Sequence, residues 1–222
     1  RSISNVVGAV FSQYKYCSLP EFNAALKQFN VVADRGKEEG RIYKNRGLVY
    51  RILDAEGNKV GVPIKASSIG CKPILDNLEN KFESNENTIE SLKPFVRTKL
   101  DECLSKTPST MKELIEHLKQ KNIYTVLRQN TEGRLYGITF VDNQNKCVFN
   151  GSDLGKDYSA AAIQTRLASV PTENTIKQEE AESSHSSGSL GKEITTQNDK
   201  EKSNTLTTQK DNLLDILLST KE

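Results

Sequence analysis

SLPEFNAALKQFNV at residues 18–31 and TMKELIEHLKQKNI at 110–123 are two readings of one pattern, and their likeness decides the fold. At a constant offset Glu21 matches Glu113, Leu26 matches Leu118, Lys27-Gln28 matches Lys119-Gln120 and Asn30 matches Asn122. Each stretch carries apolar residues at helical spacing and then runs into a β-branched segment. Ser18 and Thr110 stand at the N-cap with a Glu three residues on, the reciprocal capping box that satisfies orphan amides at a helix start.

The correspondence continues downstream. GLVYRILDAEGNKVGVPIKASSIG at 47–70 parallels GITFVDNQNKCVFNGSDLG at 137–155, with Tyr50 against Phe140, Asp54 against Asp142, Ser67 against Ser152 and Gly70 against Gly155. Alternating apolar residues and the turns at 54–58 and 142–145 predict a hairpin in each unit. A further strand is expected near 31–35 and at 124–129, and closing helices near 72–83 and 157–168. Residues 88–106 read as a connecting helix with Pro94 in its first turn.

The fold class is therefore α+β: two tandem helix-strand-strand-strand-helix modules followed by a disordered tail. The boundaries are an N-terminal helix over 1–17, a first module over 18–87, a connecting helix over 88–107 and a second module over 108–170. A disordered linker over 171–209 and a short amphipathic helix over 210–222 complete the chain. Each module is expected to be a three-stranded sheet covered on one face by helices; the alternative is one continuous six-stranded sheet. The linker is rich in Ser, Thr, Glu, Gln and Lys and holds no aromatic residue, so it cannot offset its ordering entropy. In the last segment, DNLLDILLST at 211–220 looks like a partner-docking helix or the first turns of a domain. The chain opens on Arg1 and enters an apolar-periodic run at once, as an excerpt of something longer would.

Charge and chemistry narrow the function. Residues 1–170 hold 25 Lys plus Arg against 19 Asp plus Glu, a balance of +6, whereas residues 171–222 hold 6 against 10, or −4. The first part suits an anionic partner without the density of a DNA-packaging protein. Four scattered cysteines with no C-x-x-C pair read as reduced thiols of a cytoplasmic protein, and no apolar run reaches the length of a membrane span. Only His117 and His185 are present, and no metal-binding histidine pair, nucleophile elbow or Walker loop appears. No self-contained active site, and no cofactor, is expected.

Two segments are candidates for binding. ADRGKEEGRIYKNRGLVYR at 33–51 interleaves Arg35, Lys37, Arg41, Lys44, Arg46 and Arg51 with Tyr43 and Tyr50, side chains suited to phosphates and unstacked bases, on a loop that its glycines leave mobile. Its shorter counterpart, LRQNTEGRLYG at 127–137, keeps Arg128, Arg134 and Tyr136. The second is VFNGSDLGKDYS at 148–159. There Gly151 would allow a backbone conformation closed to other residues, Ser152 or Asp153 would cap the next helix, and Lys156 would complement a phosphate that Asp153 and Asp157 would repel. That stretch reads either as an anion-gripping loop or as a turn with a helix cap.

SLPEFNAALKQFNVVADRG, GLVYRILDAEGNKVGVPIKAS and above all TVLRQNTEGRLYGITFVDNQNKCVFNGSDLGKDYSAAAIQTR resemble the region after the catalytic domain in relaxases, the mobilization nucleases of Bacteroides-type plasmids and conjugative transposons. A G-I-[ST]-F strand followed by a strand ending in [NK]-G-S-x-L-G-x-x-Y-S carries the likeness, which covers roughly residues 1–168 and marks Gly151, Ser152, Gly155 and Tyr158. The resemblance implies a parent enzyme that nicks origin-of-transfer DNA by tyrosine transesterification, with a divalent metal held by histidines in a catalytic domain that this sequence lacks. For this piece it implies a noncatalytic role: holding single-stranded or origin DNA, or docking an accessory mobilization protein or coupling protein.

Overall fold

The computed structural model describes residues 2–169; the expected linker and terminal helix lie outside the described residues. The chain begins with α1 (Ile3–Gln13), whose first turn is capped by the Ser2 hydroxyl and which buries Val7 and Val10. The first half then runs α2 (Leu19–Lys27), β1 (Val31–Asp34), the single turn α3 (Arg41–Lys44), β2 (Val49–Leu53) and β3 (Lys59–Lys65). The second half runs α5 (Met111–Gln120), β4 (Ile123–Gln129), β5 (Leu135–Asp142), β6 (Cys147–Asn150), the short α6 (Gly151–Leu154) and α7 (Ala160–Ala168). Between the halves lies α4 (Leu75–Leu104).

The strands form two separate antiparallel sheets, β1-β2-β3 and β4-β5-β6, so the six-stranded alternative does not occur. Ser18 and Thr110 are the N-caps, each hydroxyl accepting from the backbone N–H of the Glu three residues on. The returning bond of each box goes one residue further out than expected. The Cys17 N–H donates to Glu21 at 2.6 Å and the Ser109 N–H to Glu113 at 2.8 Å. Both helices end the same way, with Asn30 at φ 56° and Asn122 at φ 59°. Asparagine tolerates the left-handed region better than other residues with a Cβ, which suits it to the helix-to-strand corner.

Three expectations need correcting. The helices expected near 72–83 and at 88–106 are one, and Pro94 lies inside it rather than in a first turn. The acidic, Asn-rich run at 83–87 has the composition of a break, but Asn85 is buried and its Nδ2 donates to the Tyr16 carbonyl at 3.0 Å, which holds the helix through that stretch. The second sheet is covered on both faces, not one. Ile138, Phe140, Cys147 and Phe149 join the core with Leu100 of α4, Leu114 and Leu118 of α5 and Ile163 of α7. On the opposite face Val141 and Val148 are buried and α2 packs across β5 and β6. Finally, residues 14–16 are not merely the end of an N-terminal helix. Lys15 pairs with the free edge of β6, its N–H donating to Lys146 at 2.7 Å and its carbonyl accepting from Val148 at 3.0 Å. The halves are thus interleaved, first-half segments completing the second sheet.

Candidate nucleic-acid interface

The loop between β1 and β2 is structured. Gly36 sits at φ 72° with its N–H on the Asp34 carboxylate at 2.9 Å, and the Gly47 N–H closes onto the Ile42 carbonyl at 2.7 Å. A Cβ on Gly47 would lie 3.0 Å from that carbonyl, so the glycines shape the loop rather than loosen it. Its cations divide into two sets. Arg35 stacks on the Tyr43 ring at 4.0 Å, Arg46 forms ion pairs with Asp76 and Glu79 of α4, and Arg51 and Lys59 share Asp34. Tyr50 is buried, its hydroxyl donating to the Pro73 carbonyl at 2.7 Å, and so is removed from any ligand. Lys37, Arg41 and Lys44 are exposed and, among the described residues, have no acidic partner.

The 148–159 stretch is a clip between the second sheet and α4. Gly151 does not adopt positive φ. It is required because a Cβ there would sit 2.1 Å from the Tyr158 carbonyl oxygen and 2.7 Å from Ile138. The backbone conformation reserved for glycine belongs to Gly155, at φ 138° and ψ 166°. Neither Ser152 nor Asp153 caps the following helix, because both lie within α6; the cap of α7 is Ser159, whose hydroxyl accepts from the Ala162 N–H. From α4, Arg97 Nε donates to the Leu154 carbonyl, and the Tyr158 hydroxyl donates to Asp101 at 2.9 Å. Lys156 is exposed with no acidic partner among the described residues, as is Arg134 in the β4–β5 hairpin beside the 64% exposed Tyr136. Arg134, Tyr136 and the first residues of α7 line a shallow concavity of about 450 Å³.

Arg128, expected on the surface, belongs to an interior network that sequence reasoning missed. Its Nη2 donates to Asn150 Oδ1 at 3.0 Å, and Thr139 Oγ1 donates to the same oxygen at 3.0 Å. The Asn150 amide group then donates to Glu21 at 2.9 Å and to Asp153 at 3.0 Å. All four hydrogen-bonding positions of the Asn150 side chain are used. Burial pushes the Glu21 carboxyl up to about 7, and the Cys17 amide bond only partly opposes this. Burial also raises the Cys17 thiol, with neighbouring carboxylates adding to the effect, to about 11, well above a reactive range.

α4 places both the cationic loop at 37–44 and the turn that carries Lys156. The first is tied to it at Asp76 and Glu79, the second at Arg97 and Asp101. Glu79 to Arg97 is 97 − 79 = 18 residues, about five turns, so both ties fall on one flank roughly 27 Å apart. The same flank carries the exposed Glu83, Glu86 and Glu90 between them. A polyanion can meet either place, but Glu83 and Glu86 between them repel it, Glu90 being paired with Lys93. His117 is half-buried on α5, and no grouping of three His, Cys, Asp or Glu among the described residues is placed to hold an ion. No described helix is long and apolar enough to cross a membrane. A scan of family models, a search of curated proteins and a search of solved structures each return no match to this chain.

Proposed function

We propose that this chain is a noncatalytic region of a cytoplasmic DNA relaxase active in plasmid mobilization or conjugation, and that it helps hold origin-of-transfer DNA for the nicking domain. The observation that carries the DNA reading is the set of exposed cations Lys37, Arg41 and Lys44, without acidic partners among the described residues, on one braced loop. Residues 37–44 carry three cations, diluted by the exposed Glu38 and Glu39, and the cations suit the phosphates of a strand; Arg134 with the exposed Tyr136 offers a separate phosphate-and-base contact. The parent activity rests on the resemblance carried by GITF and NGSDLGKDYS. The nicking tyrosine and divalent metal belong to the catalytic part of such an enzyme.

Fluorescence anisotropy on origin-derived oligonucleotides over a salt series tests the DNA role. The triple variant Lys37→Gln, Arg41→Gln, Lys44→Gln should weaken binding uniformly across sequences and lower the slope of log K against log salt by about 0.7–0.9 for each phosphate no longer neutralised. Arg46→Gln, which removes an ion pair with α4, should leave that slope unchanged. An unaltered slope in the triple variant would overturn the reading. The second reading, a docking module for an accessory mobilization or coupling protein, draws on the exposed cross-strand pair Ile52 and Val60 and on Val62, 86% exposed in the β3 bulge. Loss of accessory-protein capture in Val62→Lys, with DNA binding absent from the wild type, would favour it.

A further inference from the structure

Four sheet edges exist among the described residues, and three of them are closed. On β1 the outward backbone groups of Ala33 are both taken by Asn23 of α2: the Ala33 N–H donates to Asn23 Oδ1 at 2.7 Å and Asn23 Nδ2 donates to the Ala33 carbonyl at 3.0 Å. On β3 the pairing with β2 slips between Tyr50 and Ile52, opposite a bulge holding Gly61 at φ 71° and Pro63, which spoils the edge for any incoming strand. On β6 the edge is filled by Lys15. Exposed edges are ordinarily blunted in such ways because unpaired N–H and C=O rows template association.

The fourth edge, β4, has no side-chain amide, bulge or added strand between Ile123 and Arg128; α5 packs against it and leaves Ile123 only 1% exposed, so the open stretch begins at Thr125. The Asn143 N–H donates to the Asn122 carbonyl at 2.9 Å, and the antiparallel alternation from that pair turns the backbone groups of Ile123, Thr125 and Leu127 away from β5. The position matching Asn23 at the repeat offset is Ile115, which has no amide to offer. Among the described residues nothing pairs with these outward groups. The register is regular from Ile123 to Arg128, and the sequence IYTVLR favours strand. At the midpoint of the open edge, the Thr125 hydroxyl is buried and has no hydrogen-bond partner.

We propose that β4 pairs antiparallel with β4 of a second copy of this chain, about a twofold axis at Thr125. The edge is self-complementary in that register. Thr125 faces its own counterpart, Ile123 faces Leu127, Tyr124 faces Val126 and Arg128 faces Asn122, so apolar residues oppose apolar ones and no like charges meet. Residues opposite one another share a face, so the second Thr125 brings a hydroxyl alongside the orphaned one and the Thr125 pair exchanges both backbone bonds, while the Ile123–Leu127 pairs form only as Ile123, 1% exposed in the single chain, is uncovered. The two second-half sheets become one six-stranded sheet across the dimer, which doubles whatever surface each copy presents. This pairing is independent of the ligand that surface takes.

Light scattering coupled to size exclusion on the full chain tests it, with Thr125→Pro and Thr125→Cys as probes. Proline at an outward amide removes no ladder bond to β5. The wild type should run at twice the chain mass with concentration-dependent dissociation, and Thr125→Pro should run at the single-chain mass with unchanged far-UV circular dichroism. In a Cys71→Ser background, Thr125→Cys should form a covalent dimer on oxidation, since directly opposite residues of a hydrogen-bonded pair sit about 5.5 Å apart, within disulfide range. Tyr124→Cys, which faces Val126, should not. A wild type of single mass up to its solubility limit would overturn the proposal, as would a crosslink no better at 125 than at 124. If Thr125→Pro does not fold, the pair of cysteine variants decides alone.

Discussion

Glu21 and Glu113 occupy the same place in two helices of near-identical pattern, and the tertiary structure gives them opposite chemistry. Glu113 is exposed; bonds from the Ser109 N–H and hydroxyl hold its carboxyl below the usual range. Glu21 makes the equivalent bond to the Cys17 N–H, yet it is 5% exposed and burial raises it to about 7. The difference lies in what each helix faces. α2 lies on the second sheet, where Asn150 and Asp153 meet Glu21 from far along the chain, whereas the N-terminal turn of α5 is open to water. A capping box is a local device, but the proton affinity of its carboxylate is set by whatever packs against it.

The largest test of that contrast is pH. The folded state raises the pKa of Glu21 above its unfolded value, so the associated stability is full below about 4.5 and lost as pH rises through about 7. At 1.36 kcal/mol per unit the change amounts to about 3 kcal/mol. Glu113 has the opposite sign: its lowered pKa adds stability above the unfolded value, lost as pH falls. Urea unfolding of Glu21→Gln from pH 4.5 to 7.5 should show this decline abolished, while Glu113→Gln keeps it. An identical slope in Glu21→Gln and wild type would erase the contrast.

The next test concerns the junctions that follow the third strand of each half. Ala66 begins one of them, buried, with its Cβ accommodated; Gly151 begins the other, where a Cβ would strike the Tyr158 carbonyl. Gly151→Ala should therefore cost about 2–3 kcal/mol by overpacking. Ala66→Gly should cost about 1 kcal/mol through added backbone freedom. Equal losses in thermal or urea unfolding would mean that the second junction is not as tight as its geometry indicates. Smallest is the shared feature itself: Thr110→Ala removes the oxygen that accepts the Glu113 N–H, at about 1 kcal/mol, and Ser18→Ala should match it. A much larger loss at Ser18 would show that the first cap also supports the buried network.

Most of the secondary structure was legible because its signals are local. Caps at Ser18 and Thr110 and hairpin turns after Asp54 and Asp142 all act within a few residues, and the pattern repeats them. The continuity of α4 was not legible, because Asn85 is helical for a reason located at Tyr16. The candidate site was half legible. Residue type and exposure coincide for Lys37, Arg41, Arg134 and Lys156, but a charge in the sequence carries no sign of its partner. Arg46 is spent on Asp76 and Glu79, and Arg128 on Asn150. The special backbone conformation expected at Gly151 is found at Gly155 instead, since steric exclusion at one and backbone angle at the other look alike in a string of residues.

Taken alone, then, the sequence determined the α+β class, the helix-strand-strand-strand order of each half and the cationic loop, all consequences of periodicity, capping and turn chemistry over short spans. Only the tertiary structure decided that the sheets are separate, that α2 and Lys15 complete the second sheet, and which of the loop's cations are held by carboxylates. The physical reason is that burial and ion pairing depend on groups brought together from distant parts of the chain, and two identical local patterns have no means of recording that they face different neighbours.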